Sequence, residues 1–281
     1  MQKKDAYYEN KVAWITGSSR GIGRAIAEHL AACGCHVVIS GRSPHNLRTS
    51  GEGDSVDAVA ASIAEKYGVK AIAVCGQLTD ETVVRSCVKT IHEKLGAIDY
   101  LVCNAGGGNT APDGSLSKSS PIRSAYEFEL GDVEKIMDHN ILPTLLCCRE
   151  VVPEMVARGS GKIITIGSIA GCGAQKNKGD SFSFYSLAKN DVQHYTRLLA
   201  AKLRHAGIPV NCIIPGNINT ASTRLRFGGD RETPLEGLSR LEHVGTADDI
   251  AQLACFLCGP GGEYISGQLI RVDGGEQLWP C

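Results

Sequence analysis

From Lys11 onward the chain alternates short runs rich in Val and Ile with longer segments of helical periodicity, and no other feature restricts its fold so tightly. The apolar runs are "KVAWIT", "CHVVIS", "AIAVCG", "IDYLVCNAG", "KIITIGS", "PVNCIIPG" and "QLIRVDGG". They are continuously hydrophobic rather than alternating, which marks strands buried on both faces of a parallel sheet covered by helices. Helical patterns fill the gaps at 21–33, 54–67, 80–95, 131–158, 183–206 and 246–258. The expectation is an α/β chain: a doubly wound parallel sheet of about seven strands with helices on both faces. A single domain, 1–281 with its core at 11–275, accommodates the whole pattern. Segments 107–125 and 171–181, rich in Gly and Ser, read as loops, and 217–240 carries only a weak, interrupted helical pattern.

Charge and composition remove several functions. Lys plus Arg number 29 against 30 Asp plus Glu, so no basic surplus exists to neutralise a row of phosphates, and nucleic acid is not an expected partner. The longest apolar runs fall short of the roughly 20 residues that span a bilayer. The N-terminus "MQKKDAYYENK" has no apolar signal core, so the expectation is a cytoplasmic protein with no membrane partner. Twelve cysteines are scattered through apolar runs and read as small buried hydrophobes. Cys255 and Cys258 form a C-x-x-C, but no second pair or His cluster completes a metal site, and no metal is expected.

The segment "ITGSSRGIGRAIAEHL" places Gly17, Gly21 and Gly23 between the first strand and the first helix. Glycines there let the backbone approach a pyrophosphate, and the helix start offers unpaired N–H groups to the anion. In that context the loop Gly17, Ser19, Arg20, Gly21, Ile22 and Gly23 points to a Rossmann-type dinucleotide fold. Such folds read the adenosine ribose at the end of the second strand, where an acid favours NAD over NADP. Here that position is Gly41, with Arg42 next to it and Arg20 in the glycine loop. Two guanidiniums suit a 2′-phosphate, so NADP(H) is the expected cofactor, with NAD(H) as the alternative.

With "CNAGG" at 103–107, Ser168 and "YSLAK" at 185–189, the chain resembles the short-chain dehydrogenase/reductase family from Lys11 to Gly275. The family's glycine loop is matched by Thr16 to Gly23 and its N-A-G by Asn104, Ala105 and Gly106. Its Y-x-x-x-K is matched by Tyr185 and Lys189, and its P-G-x-x-x-T by Pro215 to Thr220. The resemblance implies reversible hydride transfer between NADP(H) and a secondary alcohol or ketone, with Tyr185 as proton donor and acceptor. Physically, a phenol holds its proton until about pH 10, and an ammonium one helical turn away favours the phenolate. The resemblance also gives Lys189 a bond to the nicotinamide ribose, Ser168 a bond to the reacting oxygen, and Asn140 a water that links Lys189 to solvent. Pro215, Gly216, Ile218 and Thr220 would hold the carboxamide end, and Gln77 and Leu78 the adenine.

Three departures from the family pattern stand out. Gln77 replaces an adenine-side carboxylate, while the spans from Ser168 to Tyr185 and from Asn104 to Asn140 are longer than usual. Both additions enter loops at the substrate mouth, which carry Arg123, Lys176 and Lys178. They favour a small free substrate of the sugar, polyol, steroid or cyclic ketone type. A 3-oxoacyl-carrier-protein reductase and a non-catalytic NADP(H)-binding sensor are the competing readings. The Tyr185 helix spreads Leu187, Val192, Tyr195, Leu198 and Leu199 over more than one face. A homo-oligomer is therefore expected; the family resemblance implies a tetramer ahead of a dimer, and Trp279 of the C-terminal tail either reaches a neighbouring subunit or packs locally.

Overall fold

The computed structural model describes residues 6–44, 55–107, 126, 128–173, 184–220, 223, 241 and 244–278. The loop segments that carry Arg123, Lys176 and Lys178, most of 217–240, and Trp279 lie outside them. In chain order the elements are β1 (Val12–Ile15), α1 (Gly21–Cys33), β2 (His36–Gly41), α2 (Val56–Tyr67), β3 (Ala71–Cys75), α3 (Glu81–Lys94) and β4 (Tyr100–Cys103). They continue with α4 (Leu130–Asn140), α5 (Leu142–Arg158), β5 (Lys162–Ile166), α6 (Phe184–Leu203), β6 (Val210–Pro215), β7 (Ile218–Asn219), β8 (Gly245–Thr246), α7 (Ala247–Cys258) and β9 (Leu269–Val272).

Seven strands form one sheet in the order β3-β2-β1-β4-β5-β6-β9. Every pairing within it is parallel, as continuous apolar runs require. Alternate side chains of β1 serve opposite faces. Ala13 and Ile15 join a core with α1, α2 and α7, whereas Val12 and Trp14 join a core with α3, α5 and α6. The order reverses between β1 and β4, and there the carboxyl ends of neighbouring strands diverge to open a crevice.

One expected helix is two. The periodicity over 131–158 reads as continuous, yet the structure breaks at Ile141, between α4 and α5. Pro143 is the physical cause. It has no N–H for the carbonyl of His139, and its ring disfavours a continuing helix behind it but suits the first turn of a new one. Asn140 sits at the break and is buried.

A second pairing was not legible in the sequence. β7 and β8 form a two-stranded parallel ladder, Ile218 opposite Gly245 and Asn219 opposite Thr246, which ties the segment after Pro215 to the start of α7. Thr246 caps that helix in a reciprocal box with Asp249. Among the described residues, no helix is long and apolar enough to cross a membrane.

Candidate active site

Three of the helices that start beside the sheet carry side-chain caps: Ser55 on α2, Asp80 on α3 and Thr246 on α7. α1 does not. Its cap position is Arg20, which makes no capping bond, and its first turn holds no acid, so the N–H groups that open α1 face the crevice uncompensated. The loop before it turns through Gly17 at φ 63° and Gly21 at φ 56°, a region that L side chains rarely adopt. At Gly23, a Cβ would come within 2.5 Å of both Asn104 Nδ2 and Gly17 O, so only glycine lets the loop close on Asn104.

Thr16 and Asn104 hold this closure. Thr16 Oγ1 accepts the N–H groups of Asn104 and Ala105, each at 2.9 Å, and Asn104 Nδ2 donates to Thr16 O at 2.9 Å and Gly17 O at 3.0 Å. Ser18 and Ser40 bond to each other's backbone and fasten the loop to β2. Ser40 and the bonding roles of Thr16 and Ser18 escaped the sequence reading because these residues support the loop rather than line it.

On the other side of the crevice, α6 is stitched to the end of β5 by three side chains. Lys189 Nζ donates to Ile166 O at 3.0 Å, Gln193 Nε2 to Ser168 O at 2.8 Å, and Asn190 Nδ2 to Gly171 O at 2.9 Å. These bonds fix Ser168 and the first turn of α6, which carries Tyr185, beside the same cavity. The i,i+4 spacing on α6 brings Lys189 Nζ to 5.9 Å from the centre of the Tyr185 ring. Lys189 is buried, and among the described residues no carboxylate pairs with it. Among the described residues, the one hydrogen bond of Ser168 Oγ is accepted from the N–H of Ala170, at 3.2 Å, which leaves its proton for a ligand oxygen.

These two halves share one cavity of about 290 Å³. Its walls bring together Gly17, Arg20, Gly21, Ile22, Gly23, Asn104, Gly106, Ser168, Tyr185, Lys189, Pro215, Gly216, Ile218 and Thr220 from the sequence-based set. Gly107, Ile166, Gly167 and Thr223 join them without having been foreseen. Thr223 lies three residues past Thr220, donates to Ile218 O at 2.8 Å and accepts the Thr220 N–H at 2.8 Å. That spacing was the available signal.

The remaining expected residues lie around the cavity. Ala105 is fixed by Thr16, Leu78 is buried beyond β3, and Gln77 beside it is exposed. Ser19 borders Gly41, where a Cβ would come within 2.6 Å of Val56 Cγ2. Helix α2 thus fills the space in which an acid at position 41 would begin. Asn140 spends its side chain locally, accepting from Gly107 N–H and donating to Ile136 O, both at 2.9 Å. It braces the loop after Asn104 against the break between α4 and α5.

The residues fit a dinucleotide. A bare helix start and an unpaired buried ammonium, at two ends of one cavity, are complementary to an anionic, hydroxyl-bearing ligand. Residues 11–228 match the short chain dehydrogenase family. The chain belongs to that family. This dehydrogenase is 33% identical over 271 residues to a cyclohexanol dehydrogenase of Rhodococcus sp. (strain TK6), covering 94% of this chain and 95% of the relative. It is 32% identical over 267 residues to the 3-oxoacyl-[acyl-carrier-protein] reductase FabG of Aquifex aeolicus (strain VF5), covering 95% and 97%. Among solved structures, it resembles a 7α-hydroxysteroid dehydrogenase complexed with NADH and 7-oxo glycochenodeoxycholic acid. That match has a TM-score of 0.76 and 29% identity, over 95% of this chain and 94% of the other. The chain is an NAD(P)-dependent oxidoreductase.

His139, next to Asn140, adds a titrating group to this edge. Burial, then the charges of Arg42 and Lys189, push it down from its ordinary 6.5 to about 4. Between those values the unfolded chain binds the proton more readily than the folded one, so stability falls as pH drops from 6.5 towards 4. Replacing His139 by Gln removes that contribution. Denaturation midpoints measured across this window should decline less steeply for His139→Gln than for the parent, and parallel declines would contradict the assignment.

Proposed function

We propose that this dehydrogenase is a cytoplasmic, NADP(H)-preferring enzyme that interconverts a secondary alcohol and a ketone on a small molecule of the sugar, polyol, steroid or cyclic ketone type. The observation that carries the reading is the single cavity in which the glycine loop meets Ser168, Tyr185 and Lys189. When bound, the nicotinamide supplies or receives the hydride at the carbinol carbon. The protein's part is the proton. Ser168 Oγ donates to the substrate oxygen and holds it, while the Tyr185 hydroxyl gives that oxygen a proton in reduction and removes one in oxidation. Lys189, kept in place by Ile166 O, lies one helical turn from Tyr185 and has N–H groups left for a ribose hydroxyl. Asn140 fixes the floor beside them and holds the water through which protons are resupplied.

The NADP(H) preference rests on position 41, where Val56 occupies the space of an acid, together with Arg20 and Arg42. The FabG relative supports a second reading, reduction of a 3-oxoacyl group on a carrier protein. Steady NADPH oxidation with free cyclic ketones and sterols, and none with a 3-oxoacyl thioester, supports the first reading; the converse supports the second. No oxidation with either, despite NADPH binding, would leave the sensor reading.

The phenol is the proton donor, so Tyr185→Phe should lower turnover about 100-fold or more while NADPH affinity stays within a factor of a few. Retention of a tenth of the activity would contradict the role. Replacing Arg20 and Arg42 together by Ala should weaken NADPH binding about tenfold or more, since charge-assisted bonds to the 2′-phosphate are lost. NADH should weaken far less; equal losses in titration would overturn the preference. Helix α6 leaves Leu187 and Leu198 exposed although Val192 is buried, and α5 exposes Val156. Burial of that face in a homotetramer should give a sedimentation mass near four times 29.8 kDa, and a monomer at micromolar concentration would rule it out.

A further inference from the structure

Ser168 opens the short turn Ile169–Cys172, and three carbonyls of this stretch each receive a side-chain amide. Two of the amides come from α6, Gln193 Nε2 on Ser168 O and Asn190 Nδ2 on Gly171 O. The third comes from the segment after β9. Gln277 Nε2 donates to Ile169 O at 3.2 Å, from a side chain only 5% exposed. That segment is itself fixed, because Asp273 accepts the N–H of Gly275 on Oδ1 and of Gln277 on Oδ2, both at 3.0 Å. Gly216 packs on Asp273, whose Cα a Cβ at Gly216 would approach to 2.7 Å, and Gly216 is part of the cavity wall. The Gln277 amide thus bridges the Gly216 wall and the turn behind Ser168. Of the three amides, it alone is independent of the helix that carries Tyr185 and Lys189.

The bond leaves one atom unsatisfied. Only the NH₂ end of an amide can meet a carbonyl, so Ile169 O fixes the orientation and Gln277 Oε1 is buried without a hydrogen-bond donor. An unmatched buried acceptor lowers stability, and an apolar side chain of similar length such as methionine would avoid it. Packing alone does not account for an amide here.

We propose that Gln277 is a positioning residue for Ser168, holding the turn behind the serine at the distance from the Gly216 wall that keeps Oγ on the substrate oxygen. This rests on the role proposed above for Ser168. Without the Gln277 bond, the side-chain amides that hold the turn all come from α6, and Ser168 is free to shift relative to the wall that carries Pro215, Gly216 and Ile218. A displacement of about 1 Å in a reacting group costs about 100-fold in rate, so a partial loss of anchoring should cost about tenfold.

The test measures NADPH oxidation by Gln277→Met with cyclohexanone and with a 3-oxoacyl thioester, in the full chain and again on a Ser168→Ala background. The expected result is a kcat lower by about tenfold, an NADPH Kd within a factor of about two, and a Tm equal to the parent's or higher. On the Ser168→Ala background, Gln277→Met should cost nothing further, because the residue acts through that serine. Equal losses on both backgrounds would overturn the proposal. So would a Tm lower by about 3 °C or more, or a failure to fold, since either makes Gln277 a support of the fold. Hydrogen exchange gives a readout that needs no turnover. The N–H groups of Ala170 and Gly171, bonded to Ser168 Oγ and Ser168 O, should exchange about tenfold faster in Gln277→Met, and unchanged exchange would overturn the clamp. Faster exchange in the variant of a parent that oxidises NADPH with neither substrate would support the clamp and count against the function proposed above.

Discussion

The side-chain amide of Asn104 is the contact on which the site depends. One NH₂ group bridges two successive carbonyls, of Thr16 and Gly17, and thereby joins the end of β1 to the end of β4. Those strands flank the point where the sheet changes direction, so the bond locks the crevice at its origin. Gly23 must be bare for the amide to lie where it does, and α1 takes its position from Gly23. The direction of the helix start and the curvature of the loop both follow from one half-buried amide whose two N–H groups are both engaged.

The same region concentrates uncompensated positive potential. An uncapped helix end and a buried ammonium without a carboxylate are each unfavourable in isolation, since both give up hydration without gaining a counter-charge. Helices α2, α3 and α7 avoid this by capping. The site is thus electrostatically unfinished without an anionic ligand, and a dinucleotide should raise the stability of the fold as it binds.

Much of this was legible in the chain itself. Seven continuous apolar runs became seven strands, because burial on both faces leaves no room for polar alternation. The i,i+4 spacing of Tyr185 and Lys189 survived because one helix carries both. What was lost depended on contacts between distant segments. The two-residue β7 and β8 have no periodicity to read, and Thr16, Ser40 and Gln193 look like ordinary polar residues until their partners are known. Nor does any sequence pattern reveal that the Asn140 side chain is engaged by Gly107 and Ile136. At Pro143 the signal was present, but apolar periodicity on both sides of the proline masked it.

That proline divides one long helix into segments of unequal grip. Asn140 is the one buried residue of α4, whereas α5 buries Thr144, Cys147, Cys148, Val151 and Met155 among others. With separate hydrogen-bond ladders, α4 can fray without pulling α5 from the core, so its backbone amides should exchange with solvent at a much lower opening free energy. Since α4 ends on the residue that braces the active-site floor, the α-helix with the fewest buried residues described here is anchored directly on that floor.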